Sequence, residues 1–292
     1  VLSAINGAII RIRNRDQLLT EACRIAVELG DFSFAWVGMV DENSDWVKVV
    51  AHAGAAADFV RQVRVSHREE RPEGRGTVGR ALRSGVFTCS NDALNDPAQA
   101  PWRESFREIG VRAVAAFPLI LHDRTIGVLA FNAAEPDFFD SQEIRLLEEV
   151  AADTSLGLEH IEREGQLSYL ANWDPLTSLP NRTLFCDRLE QVLLRAERLG
   201  HRPVAVALDL GNIAEINDVM GRHAGDQALK ELALRLENAV RDGDLLGDLG
   251  ADAGRIGGHA FGLLLDASAG LDDVHAPLER ILHAIEAPIR AG

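Results

Sequence analysis

From Ile144 onward, Ile144, Leu147, Ala151, Thr154, Leu158 and Ile161 recur at alternating steps of three and four. That spacing is a seam of roughly 3.5 residues per turn and commits the segment to one long helix. Asp140 can cap its start and Glu143 can reach back, a capping-box arrangement. Glu148, Glu149, Asp153, Glu159, Glu162 and Arg163 flank the seam with charge. Such a helix can pack on a sheet of its own chain or pair with a second copy. The two are compatible if the first turns pack inward and the later ones pair. Either way the helix divides the chain into a block over 1–158, a linking helix over 159–173 and a block over 174–292.

Each block is long enough for a core. The chain has 292 residues, 47% of them apolar, which suits two domains of ordinary size. The sequence shows no uninterrupted apolar run of membrane-spanning length and no signal peptide. The first residue is Val1 rather than Met, which leaves room for an upstream segment. Net charge is −15, spread over both halves. An acidic surface repels nucleic acid and anionic lipid, so neither is an expected partner, and a nucleotide needs a local site. Cys23, Cys89 and Cys186 are odd in number, far apart and outside any C-x-x-C pair. They predict buried or incidental thiols in a reducing, cytoplasmic compartment.

In the first block, residues 8–29 carry an apolar helical face through Leu18, Leu19, Ala22, Ile25, Ala26 and Leu29, with Gly30 as the stop. Strands are expected over 32–40 and 46–51, joined by the turn-forming run 41–45. Gly74-Arg75-Gly76-Thr77-Val78-Gly79 opens a helix closed at Ser84-Gly85. Two more strands follow over 111–121 and 125–131, with a turn at 122–124. Strands and helices mix without βαβ alternation, which predicts an α+β domain with a largely antiparallel sheet. The glycines also fit a dinucleotide fingerprint, but that motif needs a preceding strand. Here a charged loop precedes them, and tight loop turns before a helix are the simpler account. The glycine run, Asn91-Asp92, Pro101-Trp102-Arg103, Ala116-Phe117-Pro118-Leu119, Ile126-Gly127-Val128-Leu129 and Phe138-Phe139-Asp140 resemble a GAF domain from about Leu18 to Leu158. The resemblance implies a GAF-type sheet with flanking helices and a small-molecule or empty pocket. No cysteine context suggests a bilin, and His52 and His160 are lone histidines rather than evident haem ligands.

The second block carries Asp174-Pro175-Leu176-Thr177, then the apolar run Val204 to Leu208 ending in Asp209. Ile216-Asn217-Asp218, Gly221-Arg222-His223-Ala224-Gly225-Asp226 and Gly257-Gly258-His259-Ala260-Phe261 follow. In order and spacing these resemble a GGDEF domain, the diguanylate cyclase family, which implies a nucleotide-cyclase palm-like α/β fold. Such cyclases join two GTP molecules held by the two halves of a dimer. On that resemblance Asp209 and the Leu210 carbonyl match metal ligands, and Asn217 and Asp226 match residues that hydrogen-bond guanine, with Gly257 and Gly258 beside the nucleotide. Asp226 could instead cap the helix running through Leu229, and Asn217-Asp218 could cap a turn.

The chain departs from that family where the chemistry sits. His259 and Ala260 stand where the signature has two carboxylates, and Ala214 stands at a phosphate-contacting lysine. Imidazole is a poor ligand for magnesium, a hard cation that prefers oxygen. Each loss should remove several kcal/mol of transition-state stabilisation, so no catalytic set is intact. Arg241 and Asp244 resemble the Arg-x-x-Asp inhibitory site for cyclic di-GMP, separated from the signature by a glycine- and aspartate-rich insertion, 247–254. Ile281 to Ile289 resemble the version that precedes an EAL phosphodiesterase domain, and the last hairpin and helix of the family are expected beyond residue 292.

The expected function is a cyclic di-GMP signalling regulator. A GAF sensor feeds a degenerate GGDEF domain that takes GTP, has a weak magnesium site, forms a homodimer and adjusts a downstream EAL domain. An active cyclase with an altered site and a ligand-free dimerisation scaffold are the alternatives.

Overall fold

The computed structural model describes residues 11–41, 43–200, 202–211, 213–241, 252–266 and 272–289. The chain divides into two compact units between Glu164 and Gly165.

The first unit is built on a five-stranded, wholly antiparallel sheet. Its strands are β1 (Phe34–Met39), β2 (Lys48–Gly54), β3 (Thr88–Ser90), β4 (Ala113–Leu121) and β5 (Arg124–Ala133), in the order β2-β1-β5-β4-β3. Side chains alternate faces along each strand. Phe34, Trp36, Val114, Ala116, Val128 and Ala130 enter one core. Ala35, Val37, Ala115, Phe117, Leu129 and Phe131 enter the other. The interior strand β1 is therefore buried at every position.

The two faces have different covers. α1 (Arg15–Leu29) and the first half of α5 (Ser141–Asn172) supply Leu18, Leu19, Ile25, Leu147, Val150 and Leu158 to the core with Phe117 and Phe131. The opposite core takes Val60 of α2 (Ala57–Gln62), Val78, Ala81 and Leu82 of α3 (Thr77–Ser84) and Phe106 of α4 (Arg103–Ile109). Each fully buried Leu or Phe contributes about 1.5–3 kcal/mol of burial free energy.

Several local expectations shift. α1 begins at Arg15, because the Asn14 side chain accepts the Gln17 N–H at 3.0 Å and ends the non-helical approach. β2 begins at Lys48; Trp46 bridges to Ser66 instead, and the guanidiniums of Arg64 and Arg71 lie over its ring. β4 and β5 meet in a two-residue hairpin, with Leu121 opposite Arg124 and positive φ at His122 and Asp123 (48° and 60°), the turn whose twist suits a hairpin. A short 3₁₀ turn, Pro72–Gly74, precedes the glycine run where a dinucleotide site would have a strand. A Cβ at Gly79 would stand 2.1 Å from the Gly74 carbonyl oxygen, so the glycine there serves close packing.

α5 resolves the seam. Leu147, Ala151, Thr154 and Leu158 are buried, with Ile144 and Ile161 packed partly against the same core. These turns pack inward, on the sheet of their own chain. Farther along, Leu167 and Leu170 are 68% and 57% exposed. Asp140 caps the helix, accepting the Gln142 and Glu143 N–H groups at 2.8 Å each. Those two bonds hold its carboxyl below the usual carboxylate range.

The second unit holds an antiparallel sheet of β6 (Pro203–Asp209), β7 (Asp252–Arg255) and β8 (Ala260–Asp266), ordered β6-β8-β7. Phe261, Leu263 and Leu265 face Leu229, Leu232 and Leu236 of α8 (Arg222–Arg241) and Val274 and Ile281 of α9 (Asp272–Glu286). Leu264 faces Phe185 and Val192 of α6 (Arg182–Leu199) on the other side. Gly254 and Gly262 pair across the sheet, and a Cβ on either would stand within 2.8 Å of the Phe185 ring. The glycines seat that ring. The end of the glycine-rich insertion is thus strand, while 242–251 lie outside the described residues.

Leu147→Ala should destabilise the first unit by about 2–5 kcal/mol in urea denaturation. Leu167→Ala should change it by less than about 0.5 kcal/mol. Equal effects would contradict inward packing of the early turns.

Candidate functional site

β6 ends at Asp209 and β8 begins at Ala260, and these two residues are register partners. The turn between β7 and β8 carries Ile256 to His259 and is closed by the Ile256 and Gly257 N–H groups donating to the Ala260 carbonyl at 2.9 and 3.3 Å. The Leu210 N–H donates to the His259 carbonyl at 3.2 Å. The sheet therefore brings Asp209, Leu210, Gly257, Gly258, His259 and Ala260 together. His259 Nε2 lies 3.4 Å from Asp209 Oδ1, and both side chains face solvent. Phe261 is fully buried and anchors the start of β8.

A partly buried ion pair holds this turn. Arg255 donates through one guanidinium nitrogen to Asp174 Oδ1 at 2.9 Å and through another to the Gly258 carbonyl at 2.5 Å. The same Asp174 oxygen accepts the Thr177 N–H at 2.9 Å and the Thr177 hydroxyl at 2.8 Å. The two side chains of the pair are only 13% and 19% exposed. Burial alone would raise the Asp174 carboxyl, but the bonds from Arg255 and Thr177 outweigh it and hold the group below the usual range. Arg255 also donates its backbone N–H to the Pro180 carbonyl at 2.8 Å. The motif at 174–177 is thus a brace for the signature turn. Its partner Arg255 was not singled out from sequence; the available signal was an arginine two residues before the paired glycines.

Asn217 sits on α7 (Ile213–Met220), and its carbonyl accepts the Gly221 N–H at 3.0 Å. Its side-chain oxygen is buried without a hydrogen-bond partner. A Cβ at Gly225 would stand 2.0 Å from that oxygen, so Gly225 leaves it space. Asp226 follows Gly225 and is exposed. It lies inside α8, which starts at Arg222, and so does not cap that helix. Asn217 and Asp218 likewise lie within α7 rather than capping a turn. Arg241 is the last residue of α8, and Asp244 lies outside the described residues.

In the first unit a cavity of about 30 Å³ lies beneath β1, β4 and β5, with Trp36, Phe59, Trp102, Thr77, Gln99 and Asn132 in its wall. Gln99 Nε2 and Asn132 Nδ2 are buried donors without partners. Among the described residues no charged side chain lines it. The space takes about two water molecules, and its chemistry suits an uncharged hydrogen-bond acceptor, because a buried ion would lack a counter-charge. Cys23 is buried, which pushes its thiol up to about 12, and Cys186 is exposed. His160 pairs with Glu164 at 3.3 Å on the surface.

A family model for the GAF domain matches residues 13–159, just over half the chain, and one for the GGDEF domain of diguanylate cyclases matches residues 171–292. The chain belongs to the GAF family and carries a GGDEF domain behind its GAF domain. It is 33% identical over 129 residues to the diguanylate cyclase TpbB of Pseudomonas aeruginosa, covering 44% of this chain and 28% of that one. It is 40% identical over 102 residues to the bifunctional diguanylate cyclase/cyclic di-GMP phosphodiesterase MucR of Pseudomonas aeruginosa, covering 35% and 14%. A solved GAF domain from a phosphoenolpyruvate-protein phosphotransferase of Coxiella burnetii has a TM-score of 0.47 at 18% identity, covering 56% of this chain and 94% of that one. The chain spans well under half the length of these curated relatives. Among the described residues, no helix is long and apolar enough to cross a membrane.

A GGDEF domain implies magnesium-bound nucleotide, and the donor set tests the fit. One carboxylate, one imidazole and a backbone carbonyl do not make a hard, oxygen-only site. Among the described residues no group of three or more His, Cys, Asp or Glu converges on a metal position.

Asp174→Asn should lower stability at pH 7 by about 1–3 kcal/mol. The Asp174 carboxyl is depressed in the folded state. The contribution of its bonds is therefore present above the unfolded pKa of about 3.9 and lost as pH falls through the lower folded value. Urea denaturation of the wild type should show this acid-side loss, and the variant should lack that component. An unchanged pH profile in the variant would contradict the brace.

Proposed function

We propose that the chain is the regulatory part of a cyclic di-GMP signalling protein. The GAF domain supplies a small-molecule input. The GGDEF domain binds GTP without cyclising it and adjusts an EAL phosphodiesterase domain placed after it. The protein acts as a homodimer in the cytoplasm. One observation supports this view: Asp174 and Arg255 brace the signature turn, while His259 and Ala260 stand where the family signature has carboxylates.

Guanine recognition rests on Asn217 and Asp226. The buried, unpartnered Asn217 oxygen can accept an N–H from the base. The exposed Asp226 carboxylate can accept from the N1–H and N2–H₂ edge. At Gly258 an added Cβ would meet nothing within 4 Å, so the signature turn leaves room for the ribose and phosphates. Cyclisation fails because no carboxylate follows His259 to prepare the attacking hydroxyl and the metal position has one acid.

Calorimetry of the chain with GTP is the test. Micromolar binding is expected, at least tenfold weaker in Asp226→Ala and nearly the same with and without magnesium. Absence of binding to the wild type would overturn the GTP role and leave a ligand-free scaffold.

A further inference from the structure

We infer that an open cleft of the GAF unit takes a free amino acid with an apolar side chain. The cleft has a volume of about 510 Å³ and lies between the start of α1, the β4–β5 hairpin and α5. It shares no wall residue with the small cavity at Trp36, which lies on the other face of the sheet. Its size and mostly apolar lining are those of a small-molecule site. Met39, Ile126, Leu158 and Ile161 give it an apolar floor. A Cβ at Gly127 would stand 2.6 Å from the Met39 sulfur, so glycine there keeps the floor in place.

Charges of both signs line the same cleft. Arg15 and Arg124 are exposed, and among the described residues neither guanidinium has a hydrogen-bond or ion-pair partner. Glu162 Oε2 is buried and accepts no hydrogen bond. His122 Nδ1 lies 3.9 Å from it, beyond hydrogen-bond reach. A buried carboxylate oxygen without a donor is costly. A simple anion would meet the guanidiniums and be repelled by Glu162, and a simple cation would meet the reverse. A zwitterion satisfies both. Its carboxylate accepts guanidinium N–H groups, its ammonium donates to Glu162 Oε2, and its apolar side chain covers the floor. This deepens the small-molecule input proposed above and rests on that reading for its signalling role, while binding itself is independent of GTP.

Leucine, methionine and phenylalanine are the probes, titrated calorimetrically into the full chain. At least one should bind with a Kd below about 1 mM. The analogues lacking the ammonium or the carboxylate, isocaproate and isoamylamine for leucine, should each bind at least tenfold more weakly. Glu162→Gln should weaken the amino acid at least tenfold and leave isocaproate no weaker. Arg15→Gln and Arg124→Gln should weaken both. These side chains reach solvent, so circular dichroism and the thermal midpoint should not change. Binding of none of the three amino acids overturns the site. So does isocaproate or isoamylamine binding as tightly as leucine, which would make the cleft a plain anion or cation groove. Amino-acid binding that is indifferent to Glu162→Gln overturns it as well. Amino-acid binding without GTP binding keeps this site and removes the GTP role, and GTP binding without amino-acid binding does the reverse.

Discussion

The partly buried pair between Asp174 and Arg255 is the interaction on which the GGDEF unit's site depends. A charge taken out of water is costly unless its partners are complete. Here Asp174 accepts from Arg255 and twice from Thr177, and Arg255 also donates to the Gly258 carbonyl, while its Nε has no partner. The carboxylate comes from the entrance to the unit and the arginine from the end of β7, 81 residues later. The turn that carries the signature is consequently set by the fold, whatever residues occupy 259 and 260. The frame is thus set apart from the side chains it carries, which at 259 and 260 are histidine and alanine.

α5 shows a similar division along one element. Its early turns complete the core of the GAF sheet, where Leu147 is fully buried. Its end is tied into the second unit by Asn181. That side chain donates to the Ala171 carbonyl at 2.9 Å and accepts the Leu184 N–H at 3.1 Å, closing one helix and capping the next. Its last turns lie in the second unit.

What the sequence made legible follows the range of the interactions. The capped start and 3.5-residue seam of α5, the strand ending at Asp209 and the antiparallel GAF sheet rest on local period and turn chemistry, and the structure has them. The start of β2 was misplaced because the Trp46-Val47 run has strand composition, while Trp46 is drawn to Ser66, Arg64 and Arg71. Gly254 belongs to a glycine-rich run that looks like loop; it is strand because Phe185, far earlier in the chain, needs its space. Arg255 carried no local pattern, since its meaning lies in Asp174. Asn217 and Asp226 were found only through family spacing, and their neighbourhood became visible through the Gly225 contact.

The central claim is that the braced site holds nucleotide and performs no cyclisation. Chromatographic analysis of the chain incubated with GTP and either magnesium or manganese tests it most directly. GTP should be recovered unchanged over hours, beside an active diguanylate cyclase that consumes it under the same conditions. Formation of cyclic di-GMP by the wild-type chain would contradict the account, and would mean that His259 and Ala260 leave a working site.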